Sequence, residues 1–363
     1  MGSRERRLEK GLVFLMVVTL ILLLGNRSIS ARDALTFNVS STWAPDWPTN
    51  VFQQMWEDKV TKATEGRIKF KNFWGSSMTK MGEEMDALES GAVDISCMCS
   101  CFYPTAQPMN NICWGMFFIP SDPVVQAKII RNLRNGFPQM DQEIEKHNCK
   151  LLFMSSVDTY GLFSRTPIRS VAELRGKKIS GIGRYHPRYF KPIGAELISM
   201  HVADRYNAMQ TGVLDGDFLP LLFTKPYRYW EVAKCRILVN SGGNHSMPHA
   251  MSMNAWKKLS PEDQKIFLDI GREMEMESAL WTAKEADRFL KELQDKHGVQ
   301  VISFPNEEKT KWCEAIGDSL WEYARDLQKA GLPGFEFVKA YIKHAEALGF
   351  AFPCSGYKNP PAK

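Results

Sequence analysis

The chain carries almost no surplus of charge: 46 Lys and Arg stand against 41 Asp and Glu, a formal net charge of +5. Residues 1–30 hold five of the bases (Arg4, Arg6, Arg7, Lys10, Arg27) and two of the acids (Glu5, Glu9), which leaves 41 against 39 in the remainder. So near neutrality there is no electrostatic footprint for a polyphosphate, which argues against a nucleic-acid partner. Catalytic signatures are missing too. There is no Ser-His-Asp order, no His-Glu-x-x-His helix and no phosphate-binding glycine loop. Beyond Leu24 no apolar run approaches the length of about 18 residues that a membrane span needs. The 25 Gly and 19 Pro follow no repeat, which excludes a collagen-like chain. No catalytic residue, metal-ligand set or cofactor motif is assigned.

What is present is core-forming material. Apolar residues make up 44% of 363 positions, enough for two or three domains. The N-terminus has the three parts of an export signal: a basic start, the apolar run Gly11–Leu24, and a polar stretch with small Ser28 and Ser30. Fourteen residues are short for a hydrocarbon core of about 30 Å, so 1–30 reads as a cleaved leader, with an uncleaved anchor as the alternative. No Cys follows the run to carry a lipid. Export places the eight cysteines (97, 99, 101, 113, 149, 235, 313, 354) where disulfides can form, with a connectivity that spacing leaves open.

Periodicity predicts alternating strands and helices. Leu35–Val39 is a strand, and a helix follows with Thr49 as cap and Gly66 as stop. Arg67–Phe73 is a strand, 80–90 a helix ended by Gly91, and Ala92–Phe102 a strand again. Further strands are read at Lys150–Ser155, Lys177–Ile182, Glu196–Met200, Leu214–Phe218, Arg236–Asn240 and His249–Met253, with a helix over Asp204–Gln210 and a turn over 241–246. Such a rhythm indicates α/β units around a largely parallel sheet. Ser260-Pro261-Glu262-Asp263 then opens a helix by cap, first-turn proline and acids, and no breaker comes before Gly298. At about 1.5 Å per residue it is long enough to brace two lobes. A strand (Gln300–Phe304), a helix over about 307–329 and a loose Pro-rich tail complete the chain.

The ordered set of local sequences resembles a family. Gln54–Gly66, Phe70–Trp74, the stretch from Glu83 to Ile95, Pro167–Ile179, Tyr206–Gly216, Tyr229–Lys234 and Trp256–Asp263 occur in the order found in DctP-type extracytoplasmic solute-binding proteins of TRAP transporters. The resemblance spans about residues 35–350. It implies a two-lobed periplasmic-binding-protein fold of α/β class, with a cleft between the lobes and a long inter-lobe helix. One lobe would take residues 33–157 with about 246–285, the other 158–245 with about 286–350, and 351–363 would be the tail. It further implies a monomer in the periplasm that captures a small organic solute and passes it to a membrane permease of two integral subunits.

The cleft departs from the family at its anion clamp. Many members hold a carboxylate with an Arg just after the Gly-x-Lys-x turn, because a guanidinium pairs both oxygens at once. Here Lys177-Lys178-Ile179 is followed by Ser180, a second family Arg aligns with Tyr160, and the family Asn after Asp-Gly is absent in Asp215-Gly216-Asp217-Phe218. Either Arg184 or Arg188 reaches in to restore the clamp, or the solute is not a simple carboxylate. In the second case Trp43, Trp74, Tyr103, Tyr160 and Phe218 form aromatic walls around Asp217, a lining suited to a cation or a polar–apolar molecule. That reading is preferred, since a lone buried Asp217 facing an anion is costly. Asp217 as a salt-bridge partner, Trp43 and Trp74 as plain packing, and His245 as a turn or hinge residue remain open beside it. Asp94 and Asp215 read as turn residues. Cys97, Cys99 and Cys101 alternate along a strand, so all three share a face. They are small apolar wall residues, a disulfide from Cys99 or Cys101 to Cys113 or another partner, or a metal set with Cys113. The alternative function is accordingly an exported thiol- or metal-dependent enzyme on the same scaffold.

Overall fold

A computed structural model describes residues 34–181, 183–200 and 202–358. The expected leader and residues 359–363 lie outside them. The chain runs β1 (Leu35–Ser40), α1 (Pro48–Ala63), β2 (Ile68–Phe73), α2 (Glu84–Ser90), β3 (Ile95–Cys97), α3 (Ile112–Gly115), α4 (Pro123–Gly136) and α5 (Gln139–Glu145). It continues through β4 (Cys149–Val157), β5 (Tyr160–Ser164), β6 (Lys178–Gly181), α6 (His186–Phe190), β7 (Glu196–Ser199), α7 (Val202–Thr211), β8 (Gly216–Pro220) and β9 (Cys235–Leu238). Then come β10 (Asn244–Ser252), α8 (Met253–Trp256), α9 (Pro261–His297), β11 (Gln300–Ser303), α10 (Asn306–Ile316), α11 (Glu322–Lys329) and α12 (Gly334–Ala347).

Two sheets result. One has the order β2-β1-β3-β10-β4, the other β11-β9-β5-β8-β6-β7. The chain passes between them three times, by the short segments 158–159 and 239–243 and then along α9, which contacts β4 of the first sheet and β11 of the second. The two short passes are joined where Tyr160 N–H donates to Gly242 O, and Ile119 N–H holds the second by donating to Ser241 O. The α/β class and the two-sheet layout agree with the sequence. The largely parallel expectation holds in part: five of the nine described strand pairs are parallel, but β10 runs antiparallel to both β3 and β4, and β5 antiparallel to both β8 and β9.

The long helix occupies Pro261–His297, as its caps predict. Ser260 accepts from the Asp263 N–H, and Gly298 stops the helix in the left-handed region at φ 63°. Other local expectations need correction. Helix α1 starts at Pro48, with Trp47 rather than Thr49 as the cap, since Pro at the first position presets φ and has no N–H to satisfy. The strand expected over Ala92–Phe102 shrinks to Ile95–Cys97, after which Ser100–Phe102 coils into a 3₁₀ turn. The turn expected at 241–246 ends earlier: β10 begins at Asn244, so His245 is a strand residue. The helix expected over 307–329 breaks at Gly317 into α10 and α11.

Helices α4, α5 and α12 go beyond the sequence reading. For α4 a signal was available, since Asp122 caps it by accepting from Val124 and Val125 N–H, ahead of Pro123. Helix α12 packs on α4, with Tyr341 donating to Gln126 and Phe337 set edge-on to Phe137, so this part of 286–350 lies with the first sheet. The tail is tied down as far as Lys358. Cys354 is bonded to Cys313, and the Tyr357 hydroxyl donates to Phe117 O and accepts from Phe117 N–H. Among the described residues no helix is long and apolar enough to cross a membrane.

Candidate functional site

The lobes meet through aromatic rings. Trp43 and Trp47, in the loop between β1 and α1, stack with centroids 4.7 Å apart and planes 8° from parallel. Asn50, in the first turn of α1, fixes that loop by donating to Trp43 O and Ala44 O. Across the seam Trp47 meets Phe223 at 4.5 Å and Tyr227 at 5.9 Å. Phe223 sits in a 3₁₀ turn after β8 that is held from the crossover: the Asp158 carboxylate accepts from Leu221 and Leu222 N–H. Burial pushes the Asp158 carboxyl up to about 6. A residue of the crossover thus sets the ring that faces the other lobe.

Behind Tyr227 lies a buried charge cluster. Register places Ser180 on β6 opposite Asp217 on β8. Arg205, from α7, reaches the ends of these strands: Nη1 donates to Asp217 Oδ1 at 3.0 Å, Nη2 to Gly181 O at 3.2 Å, and Nε to Met200 O at 2.9 Å. The Tyr229 hydroxyl donates to the second Asp217 oxygen at 3.0 Å. Arg236 on β9 donates to Leu219 O and Thr159 O and lies over the Phe163 ring. Burial raises the Asp217 carboxyl, against the pull of Arg205 and of the Tyr229 hydroxyl. Arg205 Nη1 and Asp217 Oδ1 lie at ion-pair distance, 3.0 Å, with both side chains buried.

The sequence-derived residues part company here. Trp43 lies at the seam. Ser180 and Asp217 are neighbours, but Asp217 is wholly buried and engaged by Arg205 and Tyr229, the salt-bridge alternative, so it is not a lone acid presented to a cation. Tyr160 and Phe218 approach to 5.4 Å, and the Tyr160 hydroxyl accepts from Trp114 Nε1 at 3.0 Å. Trp74 packs against the first-lobe core, and Tyr103 is turned into that lobe, donating to the Glu84 carboxylate. Arg184 and Arg188 face α11, where Asp326 pairs with both and Glu322 with Arg188; neither restores a clamp at Ser180. His245 is buried against Ser156, which holds Nδ1 at 2.6 Å, and burial lowers its pKa to about 4. Asp94 and Asp215 behave as turn residues, accepting from Asn38 and Lys178 N–H. Trp47, Phe223, Tyr227 and Arg205 were not singled out from the sequence. The Trp47-Pro48 step ahead of a helix was the available signal for the first; a pairing between a helix and a strand end leaves none for Arg205.

The cysteines do not share one strand face. Cys99 pairs with Cys101 rather than with Cys113, because the chain has left β3 by then. Cys97, Cys113, Cys149 and Cys235 are free and buried. Burial raises their thiols, Cys113 to about 11 and Cys149 to about 12, which suppresses the thiolate that nucleophilic chemistry needs. Among the described residues no group of three or more His, Cys, Asp or Glu is placed to hold a metal ion.

Known proteins match this chain along most of its length. Residues 39–326 match the family described as bacterial extracellular solute-binding protein, family 7. A solute-binding protein of Albidiferax ferrireducens is 25% identical over 267 residues, covering 73% of this chain and 78% of that one. The crystal structure of a TRAP periplasmic solute-binding protein from Desulfovibrio salexigens superposes with a TM-score of 0.77 at 17% identity, over 86% of this chain and 96% of that one. One from Sulfitobacter with bound β-D-galacturonate gives 0.71 at 19%, over 85% and 99%. The relatives are receptors, and the enzyme alternative gains no support from them. With 288 consecutive residues inside the family match, this chain belongs to the family 7 extracellular solute-binding proteins, the extracytoplasmic receptors of TRAP transporters, and is a binding protein rather than an enzyme.

Proposed function

We propose that the protein, exported to the periplasm and acting as a monomer, captures a small organic solute between its lobes and delivers it to a TRAP permease. The observation that carries this is the aromatic seam, in which the Trp43–Trp47 stack of one lobe meets Phe223 and Tyr227 of the other. Two short crossings at 158–159 and 239–243 provide the hinge about which the lobes close. Closure buries the solute, and the closed shape is what the permease reads.

The solute is not a simple carboxylate gripped by the family arginine. By the resemblance, Ser180 and roughly Tyr160 fall where many members have arginine, while Arg184 and Arg188 pair with Asp326 on α11. The Sulfitobacter relative carries β-D-galacturonate, and one from Pseudomonas putida carries D-glucuronate. This receptor shares their fold. The test is mass spectrometry of whatever is released when freshly purified, exported protein is denatured, followed by calorimetric titration of the same compound. Retention of one compound at about one per chain, with a rise in melting temperature on adding it back, is expected. Absence of any retained compound, with no melting shift across metabolite libraries, would count against capture.

A further inference from the structure

We propose that the surface cleft bounded by the first turns of α10, the short crossing 239–243 and the segment Phe350–Pro353 is a second binding site, which takes a small organic anion with a flat apolar face. The proposal does not depend on capture between the lobes.

The cleft measures about 430 Å³, within the range of roughly 300–1,000 Å³ usual for small-molecule pockets. None of its lining residues belongs to the aromatic seam. Four separate stretches of chain converge on it, and bonds between them fix its shape. Phe118 and Ser121 come from the loop between α3 and α4. That loop is fastened to the crossing, since Ile119 N–H donates to Ser241 O and Gly243 N–H donates to Pro120 O. Asn240, on the same crossing, also lines the cleft. Helix α10 supplies Asn306, Lys309 and Thr310, and the Thr310 hydroxyl donates to Pro353 O at 2.9 Å. One turn further along, Cys313 is bonded to Cys354. The wall Phe350–Pro353 is thus held to α10 at two points.

The lining carries one charge. Lys309 is its only ionisable residue, and among the described residues the ammonium has neither a hydrogen bond nor an ion pair. Glu308, the adjoining acid on the helix, is engaged by Lys311 and by Val171 N–H. Burial lowers the pKa of the Lys309 ammonium, with no carboxylate opposing it. A partly desolvated cation without a counter-ion is completed by an anion. Around it the walls are apolar: Phe350 and Phe352 meet edge-on at 5.0 Å, and Phe118 stands edge-on to Trp312 at 5.7 Å. The amides of Asn240 and Asn306 and the hydroxyl of Ser121 are neutral donors for further oxygens. The lysine therefore sets the sign of the guest and the rings its apolar body. A groove between α4, α5, β4 and α9 is more highly charged, but its Arg131, Arg134 and Lys150 already hold Glu275, Asp141 and Glu145.

The probe is para-fluorobenzoate, a ring bearing one carboxylate, titrated against the exported, oxidised protein by fluorine NMR beside its uncharged counterpart, para-fluorobenzamide. The variants are Lys309→Gln, which removes the charge, Lys309→Arg, which keeps it, and Ala351→Trp, which fills the cleft. Ala351 is exposed and Lys309 half-buried, so each should melt as wild type does. Wild type and Lys309→Arg are expected to bind the acid saturably, at about one per chain and at least tenfold more tightly than the amide. Lys309→Gln is expected to weaken the acid tenfold or more and to leave the amide unchanged, and Ala351→Trp to abolish both. Should Ala351→Trp fail to fold, the lysine variants decide the outcome. No saturable binding of the acid to wild type overturns the proposal. So does equal binding to wild type and Lys309→Gln, which places the acid elsewhere on the molecule, or an amide bound as tightly as the acid. Retention of a solute between the lobes is read by mass spectrometry and is untouched by any of these results, so the two readings fail separately.

Discussion

His249 sits uncharged inside the first lobe. Its Nδ1–H donates to Gln53 Oε1 at 2.8 Å, its Nε2 accepts from Ser155 at 3.0 Å, and the ring lies on Phe153 at 4.0 Å. Burial lowers its pKa to about 3. A histidine with a depressed pKa adds stability that is complete above its unfolded value of about 6.5 and is lost as pH falls toward the folded value. Wild type should therefore lose about 2 kcal/mol relative to His249→Gln between pH 7 and pH 5, at about 1.4 kcal/mol per pH unit below 6.5. Urea titrations of both proteins at the two pH values check this. Glu57, raised to about 7 by burial despite Asn72 and Gln53, acts in the opposite sense: its contribution is present at low pH and lost as pH rises through 7. Comparing two variants at each pH isolates the histidine from that background. None of this was readable from residue order. His249 and Asp217 sit in apolar or acidic local contexts whose partners lie 196 and 12 positions away, and only the fold supplies them.

Among the elements, the ones readable beforehand carry their instructions locally. Helix α9 has its cap, first-turn proline and terminal glycine within its own sequence, and its bounds follow from them. Strand β3 does not. Its alternating small residues continue past Cys97, but the chain turns into the 3₁₀ segment Ser100–Phe102, which is where Cys99 and Cys101 pair. The crossover turn was likewise read too long, because Asn244 already pairs with Val157 on β4, 87 positions away, and His245 and Ser246 follow it as an irregularity within β10. Gly271 in α9 shows a different constraint. A Cβ there would lie 2.2 Å from Leu152 O on β4, so the helix rests on that strand backbone to backbone. Gly271→Ala improves intrinsic helix propensity by about 1 kcal/mol. It should nonetheless destabilise the protein by about 1–3 kcal/mol through overpacking, seen as a lower urea midpoint at unchanged slope.

At the scale of the whole molecule, the tail closes a loop that the sequence left free. The Cys313–Cys354 bond spans 41 positions and fastens the segment that carries Tyr357 against Phe117. Restricting a loop of that length in the unfolded chain stabilises the fold by about 4 kcal/mol on the chain-entropy account. Reduction, or Cys313→Ala with Cys354→Ala, should lower the calorimetric melting temperature by several degrees, and an unchanged melting point would show that the tail adds nothing. The two-sheet layout was accessible because the resemblance runs in order through most of the chain. The interior of the cleft was not, since rings from 43–47 and from 223–227 meet only after both lobes have formed.

The Trp43–Trp47 stack also gives the receptor an optical signal of its own. With the halves together, Trp47 is 2% exposed and its indole is shielded by Phe223. When they part, that indole enters water and its fluorescence shifts to longer wavelength. Two emitters among ten tryptophans are enough to follow opening and closing in a stopped-flow instrument without attaching a dye.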